Sequence, residues 1–372
     1  MKRSLVLISV SAAVVALALT ACAPKKAEAP KPAAPAAPAA FRVGLVTDIG
    51  GIDDKSFNQG TWEGVVRFAT ENNLVKDQDF KYLQSAAEAD YVPNLTTFAG
   101  EKMGLIVAPG FLFNKAMYQV ATKYPEQKFL IIDSVVQTPP DKDKDGKDVA
   151  GTGGKNVPNV ANAVFAEHEG SYLVGVAAGM KAKAAGKKTL GFLGGMKFPL
   201  IEKFEAGFKQ GVKAVYPEAK ILVDYAGDFG APDKGQAIAQ KQFNAGAFII
   251  FHAAGGTGNG MIKEAKERAA KGDIRWAIGV DKDQYADGMY GDKSAVLTSM
   301  MKRVDVAAYE VAKLAKGGQF PGGQVLVFSI KNKGVGVPEK NPNLSDDIVA
   351  KVKDYEAKIA SGEIKVSESP AK

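Results

Sequence analysis

The chain has 372 residues, of which 46% are hydrophobic and 24% are charged, and its formal net charge is +7 at pH 7. About 330 residues remain beyond the first 40, which is long for a single core and comfortable for two. A basic chain suggests nucleic-acid binding, but residues 1–21 carry +2 of the charge and residues 22–40 carry another +2, which leaves +3 for the remainder. We therefore expect no nucleic-acid partner.

Residues 1–21 have the layout of a bacterial secretory signal. Lys2 and Arg3 precede an apolar run over residues 5–19, which is shorter than the ~20 residues that a membrane-spanning helix needs. The small residues before Cys22 resemble a lipobox, and Cys22 is the single cysteine of the sequence. We expect Cys22 to carry acyl chains such as palmitate and to anchor the mature protein to a membrane, on its extracytoplasmic side. An ordinary cleaved signal with an incidental thiol is the alternative.

Residues 22–40 form a linker dominated by alanine and proline, with three lysines. This composition cannot build a hydrophobic core and is typical of an extended spacer. The lysines suit a negatively charged lipid surface. We expect the linker to hold the folded body at some distance from the membrane.

From residue 41 onward, short apolar segments alternate with segments of helical periodicity. RVGLVTD precedes KSFNQGTWEGVVRFATEN, TLGFLGG precedes PLIEKFEAGFKQGVKAVYP, and AFIIFHAAGG precedes NGMIKEAKERAAKG. This alternation predicts βαβ units, parallel sheets and the α/β class. The segment GTGGKNVPNVAN at residues 151–162 is rich in Gly, Asn and Pro and indicates a crossing between two lobes.

Each predicted strand ends in aspartate or glycine. In parallel α/β sheets, ligands bind beyond the carboxyl ends of the strands. We therefore expect two facing lobes to direct these strand ends into one cleft. The strand ends are Asp48, Pro109-Gly110, Asp133, Gly194-Gly195, Gly227-Asp228-Phe229, Gly255-Gly256 and Asp281.

The loop TDIGGIDD at residues 47–54 has two interpretations, a metal site or a binding loop. Nucleoside hydrolases hold calcium with a D-T-D-P-G-I-D-D pattern, but Val46 replaces the first aspartate here and an extra glycine separates Asp48 from Asp53. The two histidines, His168 and His252, lie near no nucleophile motif. We therefore expect no catalytic metal and no enzyme.

Two further loops resemble ligand motifs incompletely. The loop GGTGNG at residues 255–260 lacks the lysine of a P-loop and the spacing of a dinucleotide fingerprint, so it predicts a sugar contact or a plain turn. The loop DKDKDGKD at residues 141–148 matches an EF-hand only in its first half. We expect a solvated loop there, with calcium binding as the alternative.

Two phenylalanines lie in polar loops where solvent exposure would be unfavourable. Phe57 precedes Asn58, and Phe229 lies within GDFGAP. Rings from opposite lobes could sandwich a flat heterocycle, and Asn58 could read a base edge because its amide both donates and accepts. The alternative is that both rings pack into their own lobes.

These segments together closely resemble the basic membrane protein family of substrate-binding lipoproteins, which includes purine nucleoside receptors. The resemblance extends from about Arg42 to Val366. The segments that show it most clearly are TDIGGIDDKSFNQGTWEGV, GLIVAPGF, EGSYLVGVAAG, GDFGAPDKG, AGGTGNG, AIGVDKDQ and LTSMMKRVDVA. The resemblance implies a type I periplasmic-binding-protein fold, with two Rossmann-like lobes joined by three crossings. It places residues 41–158 and about 282–305 in the N-terminal lobe, and residues 159–281 and about 306–372 in the C-terminal lobe.

The resemblance also implies roles for individual residues of this chain. Phe57 and Phe229 would stack on the base, Asn58 and Asp133 would bond it, and Asp281 with Lys302 would bond the ribose. Asp48 would lie at the pocket floor and Gly255 would contribute a backbone contact. This sequence departs from the family at Asp228 and in the acidic insertion at residues 141–148. The ligand-binding residues implied are Asp48, Phe57, Asn58, Asp133, Phe229, Gly255, Asp281 and Lys302.

The implied function is delivery of a purine nucleoside to an ABC importer. The partners would be permease subunits and a separate ATPase, since the chain has no P-loop. The protein would be a monomer without a cofactor. Three alternatives remain at this point: a sensory receptor that uses the same pocket, a receptor for another flat heterocycle such as a flavin, and a nucleoside hydrolase.

Overall fold

The computed structural model describes residues 41–149 and 152–370. The expected signal, the linker and Cys22 therefore lie outside the described residues. None of the helices within these two ranges combines the length and apolar character that a membrane span requires.

Strands and helices alternate along the described chain, as the sequence predicts. The strands are β1 (Val43–Val46), β2 (Phe80–Leu83), β3 (Leu105–Pro109), β4 (Phe129–Ile132), β5 (Val160–Phe165), β6 (Thr189–Gly194), β7 (Lys220–Tyr225), β8 (Ile249–Ala253), β9 (Trp276–Asp281), β10 (Met289–Tyr290), β11 (Lys293–Ser294), β12 (Val296–Lys302), β13 (Val325–Phe328) and β14 (Val335–Gly336). The helices are α1 (Phe57–Glu71), α2 (Tyr91–Gly100), α3 (Asn114–Lys123), α4 (Glu167–Ala184), α5 (Pro199–Val215), α6 (Pro232–Asn244), α7 (Gly256–Ala270), α8 (Val304–Lys316) and α9 (Asp346–Ser361).

Twelve of these strands form two six-stranded sheets that repeat one topology, and β10 and β11 pair in a separate antiparallel sheet. The first sheet has the order β2-β1-β3-β4-β5-β13, and all its pairings are parallel. The second has the order β7-β6-β8-β9-β12-β14 and is parallel except for β14. In each sheet the strand order reverses beside the first strand, between β1 and β3 and between β6 and β8. Ligands of doubly wound sheets bind at such switch points.

Helices α4 and α5 pack closely in the second lobe because glycines stand where they meet. A Cβ atom on Gly211 would lie 2.0 Å from the carbonyl oxygen of Tyr172, and one on Gly175 would lie 2.4 Å from that of Phe208. Phe204 and Phe208, four residues apart, are buried on one face of α5. A larger side chain at either glycine would push the two helices apart.

The chain crosses between the lobes at positions that differ from the expected ones. β5 pairs with β4 and ends at Phe165, after which α4 packs in the second lobe on α5 and α9. β12 pairs with β9 in the second lobe, whereas α8 packs on α1 and β13 pairs with β5 in the first. By these pairings, residues 41–149, 152–165 and about 303–328 belong to the first lobe, and about 166–302 and 329–370 belong to the second. These limits differ from the boundaries of 158, 281 and 305 that the resemblance implied, because the pattern of an apolar strand does not reveal which sheet the strand joins.

Candidate ligand-binding cleft

A cleft between the lobes opens at the two switch points. It contains about 580 Å³ of empty space, a value that includes solvent at its mouth. All of the residues that the sequence nominated for ligand binding line this one cleft. They are Asp48, Phe57, Asn58, Asp133, Phe229, Gly255, Asp281 and Lys302.

The two phenylalanines approach the cleft from different lobes. Phe57 is the first residue of α1, and Phe229 follows β7. Both rings are half-buried and also pack against the core of the molecule. The ring of Phe229 packs against the backbone of Gly195, which follows β6. A Cβ atom on Gly195 would come within 2.3 Å of this ring. Gly195 is therefore required for the position of this ring.

Asp48, Asp54 and Asn58 form a hydrogen-bonded set beneath the first lobe's side of the cleft. The side-chain amide of Asn58 donates to Asp48 Oδ1 at 2.7 Å and to Asp54 Oδ2 at 3.0 Å, and Asn58 Oδ1 accepts from the Asp48 N–H at 3.2 Å. Both amide hydrogens of Asn58 are thus used within the protein. Asp48 Oδ1 also accepts from the Gly50 N–H at 2.9 Å, whereas no protein donor is recorded for Asp48 Oδ2 among the described residues.

Asp54 explains why the loop is rich in aspartate. Its carboxylate accepts the backbone N–H groups of Ser56, Asn58 and Gln59 at 2.9, 2.8 and 3.1 Å, which caps the start of α1. Across residues 41–149 and 152–370, no three His, Cys, Asp or Glu side chains lie close enough together to hold a metal ion. The contacts of Asp54 hold the start of α1 and the side chain of Asn58, which in turn bonds Asp48.

The ammonium group of Lys302 is buried between two carboxylates. Lys302 Nζ lies 2.5 Å from Asp133 Oδ2, which belongs to the first lobe, and 3.1 Å from Glu167 Oε1 at the start of α4. Asp281 is not among these ion-pair partners of Lys302, and the expected joint contact of Asp281 and Lys302 to the ribose stays a prediction. Three aromatic rings also lie within 5.0–5.4 Å of this ammonium, those of Phe57, Phe165 and Phe204.

Burial and charge oppose each other at this ion-pair cluster. Burial raises the pKa values of Asp133 and Glu167 above their ordinary range, and the charge of Lys302 lowers them again. The surrounding carboxylates raise the pKa of Lys302 despite its burial. Lys302 therefore stays protonated across the physiological pH range.

Asp281 ends β9 and accepts a short hydrogen bond from the hydroxyl of Ser56 in the first lobe. Burial raises its pKa to about 7, partly offset by the charge of Lys302 and by the Ser56 bond. Asp133 and Asp281 occupy equivalent positions at strand ends, and both have left-handed φ angles of 67° and 65°. Such backbone strain in a non-glycine residue is concentrated at functional sites.

The glycine-rich loop at residues 255–260 borders the cleft, whereas the acidic loop at residues 141–148 does not. Gly255 lines it, with a φ of 53° that favours glycine, and α7 begins at the next residue. The loop at residues 141–148 makes a hairpin turn instead, with Asp148 paired to Lys142 and Asp143 Oδ1 accepting the N–H groups of Asp145 and Lys147. These contacts use the carboxylates of Asp143 and Asp148 within the loop itself.

Polar contacts join the two lobes across the cleft. Lys55 Nζ lies 3.0 Å from Asp287 Oδ1, and the side-chain amide of Asn259 donates to the Asp54 carbonyl at 2.9 Å. Lys282 forms an ion pair with Glu63 of α1. The structure therefore represents a closed arrangement of the lobes.

Among the residues that the sequence did not nominate, Asp54 and Phe111 line the cleft, and Glu167 is an ion-pair partner of Lys302. Glu167 lies two residues after the end of β5 and could have been found by extending the strand-end rule to VANAVFAEHE. Asp54 lies in the loop TDIGGIDD, but the sequence did not reveal that its carboxylate caps the start of α1. Phe111 follows the strand-end pair Pro109-Gly110 and carries no polar signal of its own.

Comparison with known proteins places this geometry in a family. A family model described as ABC transporter substrate-binding protein, PnrA-like, matches residues 41–370. The chain is 40% identical over 338 residues to a CD4+ T-cell-stimulating antigen of Listeria monocytogenes, covering 89% of each protein. It is 34% identical over 322 residues to the ABC transporter nucleoside-binding protein BmpA of Lactococcus lactis, covering 84% of this chain and 86% of that one.

A solved structure supports the fold. The chain aligns with an ABC transporter solute-binding protein from Aeropyrum pernix at a TM-score of 0.75 and 26% identity, covering 89% of this chain and 94% of that one. The expected α/β fold of the type I binding proteins is thereby confirmed, and so is the expectation of a binding protein, not an enzyme. The chain belongs to the family of PnrA-like ABC transporter substrate-binding proteins.

Proposed function

We propose that this protein binds a purine nucleoside in the interlobe cleft and delivers it to an ABC permease. The observation that carries the proposal is the convergence of two phenylalanine rings, one from each lobe, with buried carboxylates in one closed cleft. Aromatic rings suit a flat base, and carboxylates suit N–H and O–H donors. The name of the Lactococcus lactis relative, a nucleoside-binding protein, supports the same ligand class.

The base would lie between Phe57 and Phe229. Asp48 would bond its edge through Oδ2, because Oδ1 already accepts from Asn58 and Gly50. Burial raises the pKa of Asp48 to about 6, so the carboxylate is mainly ionised at neutral pH and accepts N–H groups of the purine. Asn58 would then act by holding Asp48 in place.

The ribose hydroxyls would bond to Asp281, with Gly255 allowing close approach of the backbone. Lys302 and Asp133 would join this site as an existing ion pair, so a hydroxyl would share the ammonium with Asp133 and Glu167. The ligand would shift the equilibrium towards the closed state by the difference between its affinities for the closed and the open state.

Transport would use permease subunits and a separate ATPase. The lipobox-like LTAC at residues 19–22 supports an extracytoplasmic location with Cys22 as the lipid anchor. Residues 41–370 contain the hydrophobic clusters of the described structure, so the body from Phe41 can be studied without its anchor. A monomer suffices for this role.

A thermal-shift screen of that body tests the proposal. The ligands are guanosine, inosine and adenosine, with free bases, ribose and riboflavin as comparisons. A ligand at a hundredfold excess over Kd stabilises the folded state by about 2.7 kcal/mol. We expect a clear upward shift with at least one purine nucleoside and none with ribose. A response to riboflavin alone, or to no nucleoside, would refute the proposed ligand.

A further inference from the structure

We propose that Phe111 and Phe198 form an aromatic clasp that holds the two lobes closed over the ligand, with Phe111 as an additional ligand contact. The proposal rests on the proposed function only in requiring a ligand in the cleft, whatever its identity. Phe111 belongs to the first lobe and follows β3. Phe198 belongs to the second lobe and immediately precedes α5.

The clasp is a chain of ring contacts that crosses the cleft. The centroids of Phe111 and Phe198 are 5.0 Å apart, with the rings inclined by 61°. Phe111 also meets Phe229 edge to face, at 6.3 Å and 76°. Edge-to-face pairs at these separations are favourable beyond the area they bury. Since one ring comes from the first lobe and two from the second, these contacts exist only while the lobes are closed.

The backbone on both sides prepares the rings for this contact. Gly110 precedes Phe111 with a φ of 118°, and a Cβ atom there would lie 3.2 Å from Asp48 Oδ2. Pro199 follows Phe198 and restricts that residue to the extended conformation, with φ −132° and ψ 157°. The backbone of Phe198 is therefore restricted before the rings meet, which lowers the entropic cost of their contact.

The two rings have separable roles. Phe111 lines the cleft together with Leu112, whereas Phe198 lies outside the residues that line it and is 38% exposed. Removing the Phe198 ring therefore leaves the ligand's own contacts in place and removes only an interlobe contact. We expect an effect of Phe198→Ala on ligand release to come through Phe111 or through closure, and the scattering comparison below distinguishes it from a local change at Leu200 and Ile201, which line the cleft.

The chain offers a matched control in the first lobe. Tyr82 is 36% exposed, and its ring meets Trp62 at 5.3 Å and 73°. This pair has nearly the same geometry and exposure as the clasp, but both rings belong to one lobe. Tyr82→Ala removes an equivalent contact without affecting closure.

The test measures nucleoside dissociation by stopped flow and the size of the ligand-free body by small-angle X-ray scattering. We expect Phe198→Ala to release the bound nucleoside about three- to tenfold faster, as the loss of one aromatic pair implies. Phe198→Tyr should retain the wild-type rate, and Tyr82→Ala should not change it. Phe111→Ala should weaken binding more than Phe198→Ala, because it also removes a ligand contact.

The outcomes separate the clasp from the proposed ligand. If the wild type binds no nucleoside, the ligand assignment fails, and the clasp is then judged by scattering alone. A larger radius of gyration in Phe198→Ala than in Tyr82→Ala supports the clasp. If Phe198→Ala changes neither the dissociation rate nor the scattering curve relative to wild type, the clasp is refuted.

Discussion

Replacing Lys302 with methionine removes the charge that balances two buried carboxylates while nearly preserving side-chain length. Lys302 is 2% exposed, and its ammonium lies 2.5 Å from Asp133 and 3.1 Å from Glu167. Without it, both carboxylates remain buried next to each other. Removing one partner of a buried ion pair costs about 3–5 kcal/mol of folding free energy. We expect a loss of that size in the ligand-free protein at pH 8.

The loss should depend on pH in a defined direction. Burial raises the folded-state pKa values of Asp133 and Glu167, and Lys302 is the main influence that lowers them. In Lys302→Met both values rise further above those of the unfolded chain, which are about 4. A carboxyl with a raised folded-state pKa costs nothing below pH ~4, and the cost grows as the pH rises towards the folded value. The loss of stability at pH 5 should therefore be smaller than the loss at pH 8.

Urea unfolding of wild type and variant at the two pH values measures both quantities. Lys81→Met is the control, because Lys81 pairs with Glu101 at 2.8 Å in a site where both side chains are about one third exposed. Such a surface pair contributes at most about 1 kcal/mol. Two results would refute the argument that Lys302 balances Asp133 and Glu167. One is a smaller loss of unfolding free energy for Lys302→Met than for the control, and the other is an equal loss at pH 5 and pH 8.

Three further predictions concern the ligand. Phe57→Ala should weaken nucleoside binding at least tenfold by calorimetry, and an unchanged Kd would exclude stacking on that ring. Nucleoside affinity should rise as the pH passes upward through about 7, because burial places the pKa of Asp281 there and only the ionised carboxylate accepts two hydroxyl groups. Asp281→Asn should bind weakly and lose the rise near pH 7, keeping only the rise near pH 6 that Asp48 produces, and a wild-type rise near pH 7 in that variant would contradict the assignment. Gly195→Ala should displace the Phe229 ring, from which its Cβ would be 2.3 Å, and weaken binding about tenfold. Gly100→Ala, where nothing lies within 4 Å, is its control, and equal affinities would show that the ring position does not matter.

The strand-end pattern was the most informative feature of the sequence. Asp48, Asp133 and Asp281 each follow an apolar strand, and the structure brings all three to one cleft. This succeeded because parallel strands in one sheet end at the same edge, so the position of a residue along its own strand predicts its position in space. Their roles in ligand binding stay predictions.

The partners of these side chains could not be predicted in the same way. Asn58 looked available for a ligand, but both of its amide hydrogens are used by Asp48 and Asp54. Lys302 was expected to bond the ribose together with Asp281, but its ion pairs with Asp133 and Glu167 were not predicted. A side chain's hydrogen-bond capacity can be read from its type, whereas the groups that satisfy it depend on neighbours distant in sequence.

The sequence by itself determined the class of the fold, the alternation of strands and helices, and the chemistry at the strand ends, because each depends on residues close together along the chain. The tertiary structure alone decided that β12 joins the second sheet while α8 packs in the first lobe. It also decided that Lys302 meets Asp133, 169 residues away, and that Phe111 meets Phe198 across the cleft. These contacts arise from the order of the strands in each sheet and from the approach of one lobe to the other, which no local periodicity specifies.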